Sequence, residues 1–173
     1  MHENRILIHK LKNFENINSN FLIITLMLFG SILLAISAKV QVPFWPVPMT
    51  MQTFVIFLIG MTYSVRLSFA TVAFYLFQGA IGLPVFAAGG GIAYLVGPTA
   101  GYLYGMLFAS IVISYLANLG FSKTYFKATV SLLIGSAIIF SFGIIYLGYI
   151  IGFEKAVAAG LLPFIPSELF KIA

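Results

Sequence analysis

The 173-residue chain has no cysteine, and only 8% of its residues are charged. The first absence excludes disulfides, thiol catalysis and thiolate metal sites. The second excludes an ordinary soluble domain, where roughly 25% of residues carry charge. Histidine is nearly absent too: His2 and His9 both lie in the polar N-terminal stretch, where solvated side chains are expected, not catalytic ones. There is no GxxxxGK run, so Gly89–Gly91 is not read as a phosphate loop. The nine Lys and Arg residues stand scattered and form no stripe, which argues against a nucleic-acid partner despite a formal net charge of +5. With no catalytic set and no metal ligand set, an enzyme is not expected.

What is abundant is apolar. Hydrophobic residues make up 61% of the chain, and its mean hydropathy is +1.08. The length suits one domain. Period-two alternation is missing, which leaves a helical bundle as the way to span a bilayer. Apolar runs predict spans over Phe21–Ala38, from Thr50–Thr53 to about Tyr63, over Leu67–Ile81, from Thr99 or Ala100 to about Leu119, and over Ala128–Gly152. Glu154–Gly160 reads as a soft connection. A sixth helix starts at Pro166 or Ser167 and has barely turned by Ala173, as a truncated span would. Met1–Asn20, with Arg5, Lys10 and Lys12, reads as a cytoplasmic tail or an interfacial helix and not as a removable signal. The expectation is an all-α integral membrane protein with an N-terminal tail (1–20) and one transmembrane domain (21–173).

Three stretches break the apolar pattern. In Val40–Thr53, VQVPFWPVPMTMQT, the prolines 43, 46 and 48 remove amide donors, and Gln52 must find partners, either backbone freed by the prolines or a ligand. Gly82–Tyr102 holds six glycines, two prolines and no charge, so its irregular backbone must be buried in protein or line a cavity. In the C-terminal LLPFIPSELFKIA, Glu168 and Lys171 stand three apart on one helix face, where opposite charges pair. They are either an interfacial ion pair or the anchors of a small amphipathic acid, since a carboxylate accepts ligand N–H groups and an ammonium holds a ligand carboxylate. Phe86, Tyr94, Tyr102 and Phe164 are available as apolar walls. In the first span Ser31, Ala35 and Ala38 put small side chains at helical spacing, for packing inside the bundle or for docking a partner membrane protein.

Charge placement gives an orientation. With a cytoplasmic N-terminus, the inner segments hold Arg5, Lys10, Lys12, Arg66, Lys123 and Lys127, whereas the outer ones hold Lys39, Lys155 and Lys171. That bias agrees with the positive-inside rule. It puts all three broken stretches at the outer face.

PVPMTMQTF (Pro46–Phe54), GAIGLPVFAAGGGIAYLVGPTAGY (Gly79–Tyr102) and LLPFIPSELFK (Leu161–Lys171) together resemble the BioY family, the biotin-specific substrate-capture (S) components of energy-coupling factor (ECF) transporters. The resemblance implies a six-helix S-component bundle in the cytoplasmic membrane that binds biotin at its outer side. It also implies docking on a transmembrane coupling (T) subunit driven by two ATPase subunits, which alone use ATP; no cofactor is implied for this chain. The family's last motif reads Pro-Gly-Asp followed by Lys, and the matching positions here are Pro166, Ser167, Glu168 and Lys171. The resemblance thus makes Glu168 the acceptor for a ureido N–H and Lys171 the partner of the valerate carboxylate. Some relatives place a cation in the Gly-rich loop; this chain has none there, which leaves Lys171 to supply most of the attraction, with Lys39 and Lys155 more distant. The candidate substrate-binding set is Glu168, Lys171, Gln52, Gly89, Gly90, Gly91, Tyr94, Thr99, Tyr102 and Phe86. The alternatives are an S-like module for another small carboxylate vitamin, or a membrane assembly protein with no soluble ligand.

Overall fold

In the computed structural model, which describes residues 19–173, the apolar runs fold into helices joined by short connections at two opposite ends. The long helices are α1 (Ser19–Lys39), α2 (Gln52–Thr62), α3 (Val65–Ala80), α4 (Ala100–Asn118) and α5 (Tyr125–Ile151). Two eight-residue helices, α6 (Phe153–Gly160) and α7 (Ile165–Ile172), close the chain. A hairpin of β1 (Gln41–Val42) and β2 (Met49–Thr50) precedes α2, with Gln41 opposite Thr50 and Val42 opposite Met49.

By length and composition α1, α4 and α5 can each cross a bilayer. The second and third helices, expected as full spans, are shorter, at 11 and 16 residues. At ~1.5 Å per residue they reach about 16 and 24 Å, less than the ~30 Å hydrocarbon thickness. Both are cut short at the same end of the bundle. There Pro43, Pro46 and Pro48 delay the start of α2, and α3 stops just before Gly82.

Successive helices run antiparallel. Tyr63, at the end of α2, donates its hydroxyl to the Leu26 carbonyl near the start of α1 at 2.9 Å, and accepts from the Ser114 hydroxyl of α4 on its own carbonyl. One end of the bundle therefore holds Arg66 and the Gly120–Thr124 turn. The other gathers Lys39, the hairpin, the Gly-rich loop, α6 and α7. The fourth helix is central: 61% of its apolar window is buried, against 28% for α1. It packs on α2, on α3 and most extensively on α5. Close approach to α5 depends on Gly101 and Gly105, where an added Cβ would run into the backbone of Phe142 and Ile139. Large apolar side chains such as Phe21, Phe29, Ile32 and Ile36 point outward from α1, as they do on a lipid-facing helix.

The structure changes two further sequence-based expectations. Ser31 and Ala38 are buried against the bundle and Ala35 is partly buried, so this trio does not form an external docking face. Their small side chains let α1 approach α3, where the Ser31 hydroxyl donates to Oε1 of Gln78. The stretch Glu154–Gly160 is helical, not a soft connection. Gly152 takes φ +90° and ψ 144°, a conformation essentially reserved for glycine, which ends α5 and lets the Ala-rich segment start afresh as α6. Apart from the short β-hairpin, the protein is an all-α integral membrane protein in class, as expected. The expected N-terminal tail lies outside the described residues up to position 18, and Ser19 and Asn20 already belong to α1.

Candidate functional site

The last helix is inside out by the standard of a soluble protein. Its only buried residues are Glu168 and Lys171, while Leu169 and Phe170 face outward. Pro166 fits its first turn, where no amide donor is needed. The carboxylate sits toward the N-terminal turn and the ammonium in the last one, the arrangement the helix dipole favours. Lys171 Nζ lies 3.0 Å from Glu168 Oε2. It also donates to the Thr50 carbonyl at 2.9 Å and to Thr53 Oγ1 at 2.8 Å. The Thr53 hydroxyl donates in turn to Glu168 Oε2 at 3.0 Å, and Ser136 of α5 donates to Oε1 at 3.2 Å. A buried charge pair is stable only when its remaining hydrogen-bonding groups are met, and here the hairpin, α2 and α5 meet most of them.

The hairpin register explains how Thr50 and Gln52 arrive here. β2 ends at Thr50, whose carbonyl faces Lys171, and α2 begins two residues later. The Thr50 hydroxyl donates to Gln52 Oε1 at 3.0 Å, and Gln52 Nε2 donates to the Tyr75 hydroxyl at 2.8 Å. Gln52 thus finds side-chain partners on both sides.

The Gly-rich loop forms the opposite wall. It doubles back through a Phe86–Gly89 bridge, with Phe86 N–H on the Gly89 carbonyl at 2.9 Å, and returns to α3 where Gly91 N–H meets the Gly79 carbonyl at 2.7 Å. Gly91 holds φ +100°, which a residue with a side chain could adopt only with strain. Phe86 is fully buried in a slot left by Gly79, where an added Cβ would overlap its ring. The ring stacks on Tyr94 at 4.9 Å and meets Tyr75 edge-on at 5.4 Å. Tyr104 and Tyr146 tie down the following turn by donating to the carbonyls of Leu95 and Val96, at 2.8 and 3.1 Å.

Between these walls lies a cavity of about 510 Å³, its open mouth included. Among the residues expected at a binding site, Glu168, Lys171, Gln52, Tyr94, Thr99 and Tyr102 line it, as does Phe164. Phe86, Gly89, Gly90 and Gly91 do not; they shape the loop that carries Ala87 and Tyr94 to the lining. The sequence reading passed over Met106, Ile139 and Phe140 of the lining and over Ser136 beside it. Apolar residues on a span carry no signal that separates cavity from core. Ser136 carried one, as a hydroxyl in an otherwise apolar run beside Gly135. An aromatic series runs round the lining: Tyr102 to Phe140 at 6.2 Å, Phe140 to Phe164 at 6.2 Å, and Phe164 to Phe44 of the hairpin at 6.3 Å. The Tyr102 ring rests where a side chain at Gly143 would be, and its hydroxyl donates to the Gly160 carbonyl at 2.9 Å. The site offers a polar pole at Glu168 and Lys171 and an aromatic body, which suits a small ligand with one polar and one apolar part.

Known proteins resemble this chain in sequence and in fold. The family model described as the BioY family matches residues 10–173. The probable biotin transporter BioY of Rickettsia prowazekii (strain Madrid E) is 38% identical over 156 residues, covering 90% of this chain and 80% of the relative. The biotin transporter BioY of Thermotoga maritima is 37% identical over 142 residues, covering 81% and 83%. The crystal structure of the S-component for biotin from an ECF-type ABC transporter superposes with a TM-score of 0.79 at 24% identity, over 91% of this chain and 88% of that one, and shares the fold. On the family match and these identities, the chain belongs to the BioY family.

Proposed function

We propose that this chain is the substrate-capture S component of an ECF-type ABC transporter and that it binds biotin in the cavity between the hairpin, the Gly-rich loop and α7. Under this reading residues 21–173 act as one transmembrane binding domain. One observation carries the chemistry: the buried pair is saturated on one side and open on the other. All three ammonium donors of Lys171 are engaged, by Thr50, Thr53 and Glu168. A carboxylate has about four acceptor positions. Among the described residues Oε2 of Glu168 takes two donors and Oε1 takes one. An acceptor position on Oε1 is therefore free for a ligand N–H, which the ureido group of biotin supplies. The valerate carboxylate would take over one Lys171 donor from the Thr50 carbonyl or the Thr53 hydroxyl. The thioether ring and its chain would lie against Tyr94, Tyr102, Phe140 and Phe164.

In this reading the T subunit and two ATPase subunits are separate partners, the membrane is the cytoplasmic membrane, the N-terminus is cytoplasmic and the cavity opens outward. Arg66, Lys123 and Lys127 gather at the end opposite the cavity, which supports that orientation. The test is radiolabelled biotin binding to the detergent-purified full chain. Saturable binding that Glu168→Gln and Lys171→Ala each weaken more than about tenfold, or ~1.4 kcal/mol, is the expected result. A folded chain that fails to bind biotin refutes the assignment; binding indifferent to both substitutions moves the ligand away from this pair.

A further inference from the structure

We propose that Tyr75, assisted by Lys39, is a positioning residue for ligand binding: it joins the Gly-rich wall of the cavity to the polar cluster without itself lining the cavity. The inference rests on reading this cavity as the ligand site. Tyr75 is 1% exposed on α3 and lies behind the lining. Its single hydroxyl works in both senses. It accepts from Gln52 Nε2 at 2.8 Å and donates to the Val85 carbonyl at 3.0 Å. Gln52 accepts from Thr50, whose carbonyl holds Lys171. An unbroken series thus runs from Lys171 through Thr50, Gln52 and Tyr75 to Val85.

The next two carbonyls of the loop are also taken. Lys39, the last residue of α1, donates to the Phe86 carbonyl at 2.6 Å, and Gln41 of β1 donates to that of Ala87 at 3.3 Å. Three consecutive carbonyls are therefore held by side chains from three different elements, just where the loop turns Ala87 into the cavity. In a segment with no charge and several glycines, these tethers add to the Phe86–Gly89 bridge and the buried Phe86 ring in keeping one conformation. Freezing it before the ligand arrives lowers the ordering cost of binding, an effect felt mainly in the dissociation rate.

The experiment compares the full chain with Tyr75→Phe, which keeps the ring against Phe86 and removes only the hydroxyl. Lys39→Met and Lys39→Arg accompany it, together with the Lys39→Met/Tyr75→Phe pair. In ligand-free protein, amide exchange at Phe86, Gly89 and Gly91 should quicken in Tyr75→Phe and Lys39→Met while exchange in α4 and α5 stays as in the parent. Biotin should dissociate about tenfold faster from Tyr75→Phe and a few-fold faster from Lys39→Met, with association within about twofold. Lys39→Arg should restore the parent rate, and the double variant should show less than the product of the single effects because both act on one wall. Dissociation within twofold of the parent in both single variants overturns the proposal. So does faster exchange that spreads equally over α4 and α5, which would mean general destabilisation. Should Tyr75→Phe not fold, Lys39→Met at the exposed end of α1 carries the same comparison. A parent chain that binds no biotin refutes the assignment of function, while the exchange measurement still decides whether the tether exists.

Discussion

On the α7 side of the cavity, Glu168 and Lys171 hold position through a dense set of charge-assisted hydrogen bonds, and the helix around them is only eight residues long. On the Gly82–Tyr94 side there is no charge; position comes from the Phe86 ring in the Gly79 slot and from carbonyls captured by α1, β1 and α3. The first wall can tell ligands apart by their donors and acceptors. The second can tell them apart only by shape. A site for a molecule with a polar group and a greasy body needs both, and this fold assigns them to segments more than sixty residues apart in sequence.

The largest effect is expected where charge is left alone. Lys171→Met strands the Glu168 carboxylate in the bundle and should destabilise the ligand-free protein by about 3–5 kcal/mol, with biotin binding lost. Glu168→Leu/Lys171→Met removes both charges, and most of that stability should return, because a well-packed apolar pair often matches or exceeds a buried ion pair. Binding should stay absent. Thermal unfolding in detergent beside a biotin-binding assay reads both quantities. A double variant as unstable as the single one would make the polar wall a structural anchor and erase the contrast between the two walls.

The shape wall should break differently. Gly79→Ala puts a methyl group into the Phe86 ring, and overpacking of this kind costs about 1–3 kcal/mol. Weaker biotin binding is expected with no change in the polar cluster. Phe86→Leu on the Gly79→Ala background should recover part of the loss, measured by the same melting and binding assays. If the double variant is worse than Gly79→Ala, the loop is not positioned by that slot.

Within the polar wall, Thr53 is the residue that touches both charges. Thr53→Val keeps its volume and removes the hydroxyl that donates to Glu168 and accepts from Lys171. Hydrogen bonds to charged groups contribute about 1.5–3 kcal/mol, so biotin affinity should fall by about tenfold or more, with Thr53→Ser near the parent. Titration with labelled biotin measures this directly.

The outline of this site was legible because lipid leaves polar and irregular segments few places to go. Prolines at 43, 46 and 48, the glycines of the loop and the Glu168–Lys171 spacing all mark backbone or charge that a bilayer rejects, and the structure gathers those three stretches at one end of the bundle. The short lengths of α2 and α3 were less legible, since apolar runs continue past the points where the hairpin and Gly82 reset the backbone. Ser31, Ala35 and Ala38 illustrate another limit: small residues at helical spacing announce close approach, but nothing in the spacing says whether the neighbour is α3 or another protein. The role of Gly89–Gly91 was misplaced for a related reason. Glycines mark where a loop can turn, and the residues carried into the cavity by that turn, Ala87 and Tyr94, are not themselves glycines.

The smallest effect separates the two oxygens of Glu168. Ser136→Ala removes one donor, 3.2 Å from Oε1, and should lower stability by about 1.5 kcal/mol, the low end for a bond to a charged group. Its effect on binding depends on what the ligand does there. If a ligand N–H takes the free position on Oε1, losing Ser136 leaves the oxygen still satisfied in the complex, and affinity should shift by no more than about threefold, less than for Thr53→Val. An effect larger than that of Thr53→Val, read in the same titration, would mean that Ser136 orients the carboxylate for the ligand and that the Thr53 side serves mainly to hold Lys171. The ligand donor would then be assigned to the α5 face of the cavity and not to the face formed by α2.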